Sequence, residues 1–180
     1  MKIKLIRLIT LIVLFTVITF TQPTFAQSGN ITIGFGPSFC SSPDFTRPGF
    51  HIRGHYGLSD VIRAAADFNF YFPKKTVSFG NEETKTFWES NGNIHYIIDF
   101  HPFKLYGIGG ANISSYKIKD NGWIVASGTV SKFGVGINAG TGFEFDLNNN
   151  MSLFSEVKYS VVTKGLSHYG LVMGLNIGLN

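Results

Sequence analysis

Residues 62–72 read Ile-Arg-Ala-Ala-Ala-Asp-Phe-Asn-Phe-Tyr-Phe, and their order is that of a strand with two unlike faces. Ile62, Ala64, Ala66, Phe68, Phe70 and Phe72 fall on one parity, and Arg63, Ala65, Asp67, Asn69 and Tyr71 on the other. Successive side chains of a strand point to opposite faces, so period two means one apolar and one polar face. Strands of soluble sheets run to about five or six residues. A tilted strand crossing a bilayer needs about nine to eleven. The length of the run favours the membrane.

The same alternation recurs on both sides of this run. Ile31, Ile33 and Phe35 alternate with Thr32, Gly34 and Gly36, and Phe50, Ile52, Tyr56 and Leu58 with His51, Arg53 and His55. Ile94, Tyr96, Ile98 and Phe100 alternate with His95 and Asp99. Val135, Ile137, Ala139, Thr141, Phe143 and Phe145 alternate with Asn138, Gly140, Gly142 and Glu144. Leu153, Val157, Tyr159 and Val161 alternate with Ser152, Glu156 and Lys158, and Leu171 to Leu179 repeats the pattern. Residues 104–118 are strand-like, with glycines that blur the parity.

Eight strands result. Short connections fall near Ser59-Asp60, His101–Phe103 and Asn148–Asn150, and longer polar ones at Phe39–Gly49, Pro73–Phe87, Lys119–Phe133 and Thr163–Tyr169. Short turns at one end and long loops at the other are the plan of an outer-membrane barrel. In hydrocarbon every backbone donor and acceptor must pair inside the protein, which leaves helices or closed barrels. The expected fold is therefore all-β: an eight-stranded antiparallel up-and-down transmembrane barrel with a polar interior filled by side chains.

The N-terminus reads as a secretory signal peptide over residues 1–26, followed by one domain over residues 27–180. Lys2, Lys4 and Arg7 lead an apolar run from Leu8 to Phe20, with Ala26 at the cleavage point. Three of the fifteen basic residues and none of the eleven acidic ones lie in that leader. The remainder carries a net +1, so the basicity of the whole chain is no argument for nucleic acid. Cys40 is the single cysteine, which rules out an internal disulfide.

Several chemical readings fail on spacing. Gly134, Gly136, Gly140 and Gly142 lead into another strand, whereas a dinucleotide fingerprint opens a helix. Asp146, Asn148 and Asn150 match the first ligands of a calcium loop, but Met151 and Val157 stand where glycine and glutamate belong. A hairpin turning about Asn149 is the better reading. It places Gly140 opposite Lys158, Gly142 opposite Glu156, Ala139 opposite Tyr159, Phe145 opposite Leu153 and Leu147 opposite Met151. His51 and His55 share a face but stand about 13 Å apart along a strand, too far for one ion. A histidine from another strand could complete a site, and no spacing names one, so no metal or cofactor is expected.

The inward charges are instead expected to form a structural network of His51, Arg53, His55, Arg63, Asp67, Asp99, Glu144, Glu156 and Lys158. Within it, His51 is expected beside Asp67 and His55 beside Arg63. Both signs are present, as burial requires. Trp88, Tyr56, Tyr159 and Tyr169 are candidates for interfacial girdles. Trp123 and Ile124, in the third long loop, are candidate contact residues.

The stretches LYGIGGANISSYKIK (105–119), SKFGVGINAGTGFEFDLNNNMSLFSEVKYS (131–160) and YGLVMGLNIGLN (169–180) resemble the outer membrane protein beta-barrel family. That family includes OmpX-like barrels and the OmpA transmembrane domain, and the form here is similar to that of Bacteroidetes. The resemblance implies a Gram-negative outer membrane location. It also implies partners in outer-membrane lipid, including lipopolysaccharide, and in the barrel-assembly machinery; any surface protein partner is expected at the long loops, since loops on a rigid scaffold carry recognition. Family members commonly end on an aromatic residue read by that machinery, whereas this chain ends on Asn180.

The fold also hosts lipid A acylases and deacylases. Ser167 and His168 near one rim, with Ser41 and Asp44, are the residues an enzyme would use, but no nucleophile elbow is present. The expected function is non-enzymatic: envelope structure or surface interaction. A narrow ion or solute channel, a lipid-modifying enzyme and a soluble lipocalin-like binder with its apolar parity turned inward are the alternatives.

Overall fold

The computed structural model describes residues 29–42, 45–78, 81–120 and 128–179. Eight strands follow one another: β1 (Ile31–Ser42), β2 (Phe45–Gly57), β3 (Ile62–Ser78), β4 (Asn81–Phe100), β5 (Phe103–Asp120), β6 (Thr129–Asn148), β7 (Met151–Val162) and β8 (His168–Leu179). Each pairs antiparallel with its neighbour, and β1 pairs with β8, so the sheet closes into a barrel. Closure satisfies the backbone without leaving an edge at the level of the barrel wall. A 3-10 turn at Thr163–Gly165 joins β7 to β8.

The two parities sort as the alternation requires. Ile33, Phe35, Phe50, Ile52, Phe68, Phe70, Ile137 and Met173 are exposed on the outer wall. Arg53, Asp67, Asn112, Glu156 and Asn176 are buried inside it. A lipocalin-like arrangement would invert these two sets, and that alternative is overturned. The glycine-blurred strand β5 also resolves: Tyr106, Ile108, Asn112, Ser114 and Tyr116 point inward.

The β6–β7 hairpin pairs Gly140 with Lys158, Gly142 with Glu156, Ala139 with Tyr159 and Phe145 with Leu153. The expected pairing of Leu147 with Met151 does not form; a register shift after Asp146 puts Asn148 opposite Met151. The Asn148 side chain accepts the Asn150 backbone N–H at 2.9 Å, which tightens the turn.

Two of the expected long loops are strand instead. Residues 39–42 of β1 pair with residues 45–48 of β2, so most of Phe39–Gly49 is ladder. The stretch Pro73–Phe87 is largely a hairpin, pairing from Lys74 with Lys85 up to Ser78 with Asn81. Strands β5 and β6 likewise climb to the pair Lys119 and Thr129. By contrast, β2–β3 pairing stops at Gly49 with Tyr71, and β6–β7 pairing begins at Gly136 with Val162. The four strands β3–β6 therefore rise beyond the barrel wall as a protruding sheet. The leader (1–26), Asp44, Trp123, Ile124 and Asn180 lie outside the described residues.

Candidate functional site

The lumen is filled in layers, from the short-turn end to the long-hairpin end. At the short-turn end a cavity of about 430 Å³ is lined by Lys104, Asp146, Glu144, Asn148, Ser152 and Asn176, among others. Lys104 Nζ donates to both oxygens of Asp146, at 2.9 and 2.7 Å. Asp99 is half-buried beside this end, where its carboxylate accepts the His101 backbone N–H at 2.9 Å. Its place is a turn cap and not the lumen network, because β4 is ending there and its side chain meets the turn.

One layer deeper, Arg63 donates to Glu144 at 2.8 Å, and Asn176 Nδ2 donates to the same carboxylate at 3.0 Å. Arg63 Nε also donates to His95 Nδ1 at 3.1 Å, and its guanidinium lies 4.5 Å above the Tyr106 ring. Next comes the Arg53–Glu156 ion pair, with the Tyr106 hydroxyl donating to Glu156 Oε1 at 2.9 Å. The guanidinium of Arg53 sits 3.4 Å over the Phe154 ring.

Asp67 then accepts from Lys158 at 2.8 Å, Asn91 at 2.7 Å and Asn93 at 2.6 Å. Glu89 accepts from Asn69, Tyr71 and Asn112 and is 2.8 Å from His168 Nε2. His168 Nδ1 is 2.8 Å from the Leu166 carbonyl. The Leu166 carbonyl accepts from His168 Nδ1–H, which leaves Nε2 to share a hydrogen bond with the Glu89 carboxylate. Above this pair a mainly apolar layer of Cys40, Tyr71, Phe87, Tyr116, Val162 and Leu166 closes the long-hairpin end, with the buried Arg47 set among them and donating to the Lys85 carbonyl.

The structure brings together eight of the nine inward residues named from sequence, with different partners in two cases. His51 bonds Asn69 across the β2–β3 ladder at 2.9 Å, not Asp67, and His55 lies opposite Ala65, not Arg63. The β2–β3 connection is longer than its Ser59-Asp60 core, with Leu58 and Ser59 N–H groups both donating to the Ile62 carbonyl, and this moves the register by two. Glu89, His95, His168 and the asparagines 69, 91, 93, 112 and 176 were not read as network members. Glu89 and His168 sit at the margins of segments that read as loops, and neutral asparagines give no charge pattern to follow.

The pair that an enzyme would use is engaged otherwise. Ser167 Oγ accepts the Val162 N–H at 3.1 Å and donates to the Val162 carbonyl at 3.3 Å, while both His168 nitrogens are taken. On the outer wall Trp88 packs on Phe68 at 5.8 Å, and Tyr159 meets Tyr169 at 4.5 Å.

The protruding sheet carries a cationic face. By register, Lys75, Thr84, Lys119 and Thr129 form one row across β3–β6, and Thr86, Lys117 and Ser131 form the row below it. These rows stand above Trp88, Ser115 and Phe133 on the same face. Lys75 pairs with Glu82 at 2.7 Å, and that hydrogen bond holds its ammonium above the ordinary lysine range.

Solved structures share this architecture. Ail, the attachment invasion locus protein of Yersinia pestis, superposes with a TM-score of 0.61 at 16% identity, covering 85% of this chain and all (100%) of that one. Its complex with the heparin analogue sucrose octasulfate gives 0.63 at 18%, with coverage of 85% and 100%. The outer membrane protein OprG of Pseudomonas aeruginosa gives 0.60 at 10%, with coverage of 86% and 97%. At these identities the likeness is one of fold. No curated protein sequence matches the chain. The family model described as "Outer membrane protein beta-barrel domain" matches residues 11–178, nearly the whole chain, and the protein belongs to that family.

Proposed function

We propose that the protein is a non-enzymatic, integral outer-membrane barrel of a Gram-negative envelope whose protruding sheet makes surface contacts. The observation that carries this reading is the rise of β3–β6 beyond the wall, with Lys75, Lys117 and Lys119 on one outward face. Cations at that height, above an aromatic girdle, suit phosphate or sulfate groups of saccharides and of lipopolysaccharide. That Ail has been solved with sucrose octasulfate supports a polyanion as the class of partner. The lumen network, in this reading, is structural: it fills and stiffens the scaffold that holds the sheet up. The barrel-assembly machinery would insert the chain, as for other members of the family.

The test is binding of sucrose octasulfate to the protein in nanodiscs. Binding that weakens with salt, and that is lost when Lys75, Lys117 and Lys119 are changed together to Gln, supports the reading. Equal binding by the triple variant sinks it. A second mode of contact has its own observation. Residues 74–78 of β3 and 129–134 of β6 each have one ladder side without a partner strand among the described residues. Such edges accept an added strand from an extended partner segment. The apolar layer across the long-hairpin end speaks against the channel alternative.

A further inference from the structure

Most of the lumen's polar atoms are paired, and His55 stands out against that background. Both of its ring nitrogens are buried with no hydrogen-bond partner among the described residues, and so is His95 Nε2. Leaving buried polar nitrogens bare is expensive. The two rings meet edge to face with centroids 5.3 Å apart. They arrive from β2 and β4, and Glu156 arrives from β7 across the lumen. Ligand atoms of the three residues all lie within 4.8 Å of one another, and all three residues are buried. Two imidazoles and one carboxylate are the donor set of Zn²⁺ and related first-row divalent ions, whereas Ca²⁺ and Mg²⁺ want oxygen throughout.

We propose that His55, His95 and Glu156 form a lumen site for a divalent transition-metal ion, entered from the short-turn end. The cavity at that end is lined in part by Glu144, which holds Arg63, and Arg63 Nε reaches His95 Nδ1. The guanidinium thus links a carboxylate that lines the cavity to one of the two imidazoles. The apolar layer closes the other approach.

Arg63 also sets the terms of binding. Because its Nε–H donates to His95 Nδ1, that nitrogen presents a lone pair. Nε2 of the same ring then carries the proton, so an ion bound at Nε2 moves that proton to Nδ1, where it faces the Arg63 N–H, and the ion and the guanidinium also repel each other. Arg63 has a second partner in Glu144 to which it retires when displaced. Arg53 and the Tyr106 hydroxyl meanwhile hold the Glu156 carboxylate in place. Removal of a ligand and removal of Arg63 must therefore act in opposite directions, which packing histidines alone would not produce.

Co²⁺ serves as the probe, titrated by visible absorption into the refolded protein in detergent micelles, with heat-modifiable gel mobility as the check of folding. We expect saturable ligand-field bands at one ion per barrel, displaced by Zn²⁺. His55→Gln and His95→Gln should each weaken binding by at least about tenfold. Arg63→Gln should tighten it severalfold. His55 has no hydrogen bond to lose, so His55→Gln is the variant that folds even if Arg63→Gln does not. Absence of saturable binding to the wild type overturns the proposal. So do bands that survive both histidine changes, or that follow the exposed His101 in a His101→Ala control.

Discussion

At position 142 a Cβ would land on the ring of Tyr106, and at position 174 first on the Phe35 carbonyl oxygen and then on the ring of Phe154. These two glycines thereby make room for the aromatic rings that hold the central ion pair: Tyr106 bonds Glu156, and Phe154 lies under Arg53. Gly142→Val should cost about 1–3 kcal/mol by overpacking, read as a lower urea midpoint of the refolded barrel. Gly54→Ala is the control, since a Cβ there meets open space, and its effect should stay within about 0.5 kcal/mol. Equal losses in both would refute this account of Gly142. The pairing of Gly142 with Glu156 was legible in the sequence, because turn chemistry at Asn149 fixes the register nearby. That the room is used by Tyr106 was not, since it depends on a neighbour from β5. Lys158 and Asp67 form a buried ion pair from β7 and β3. Lys158→Met should cost about 3–5 kcal/mol by stranding the carboxylate, and adding Asp67→Asn should restore most of it. A double variant no better than the single would show that the charge is not what matters.

The strands were legible wherever one face meets lipid and the other meets the polar lumen, because burial on only one side writes period two into the sequence. Where β3 and β4 leave the wall, both faces are wet and the pattern disappears. Lys74, Lys75, Glu82, Glu83 and Lys85 then read as a loop although they form a ladder. The hairpin is held by backbone pairing and by ion pairs such as Lys75–Glu82, which are exposed and contribute little. It should therefore be removable. Replacing residues 75–84 by Asn-Gly leaves Lys74 and Lys85 to close a two-residue turn. The trimmed protein is expected to keep its heat-modifiable mobility and to lose salt-sensitive polyanion binding. Loss of the folded gel band would mean that the hairpin is part of the barrel's core stability. The β2–β3 register escaped the sequence for a different reason: nothing in residues 58–61 announces that the connection spans four residues where two looked sufficient.

The molecule as a whole is a stave-built cup. Its short-turn end is open and polar, its middle is packed with paired charges, and its long-hairpin end is shut by an apolar layer. Ions need continuous water to cross, and a layer of Tyr71, Phe87, Tyr116, Val162 and Leu166, packed around the buried and hydrogen-bonded Arg47, interrupts it. Planar bilayers holding the purified protein should show no discrete conductance steps; steady steps from the wild type would reject this picture. That closing layer also encloses Cys40, whose accessible surface is 0%. The chain's single thiol is thus a ready-made tell-tale for the seal. A maleimide dye offered to intact cells should leave it untouched, while Phe87→Ala should let the dye in, and prompt labelling of the wild type would show that the lid breathes. Since the chain has no second sulfhydryl, dye found on this protein reports the opening of this one compartment with no engineered label.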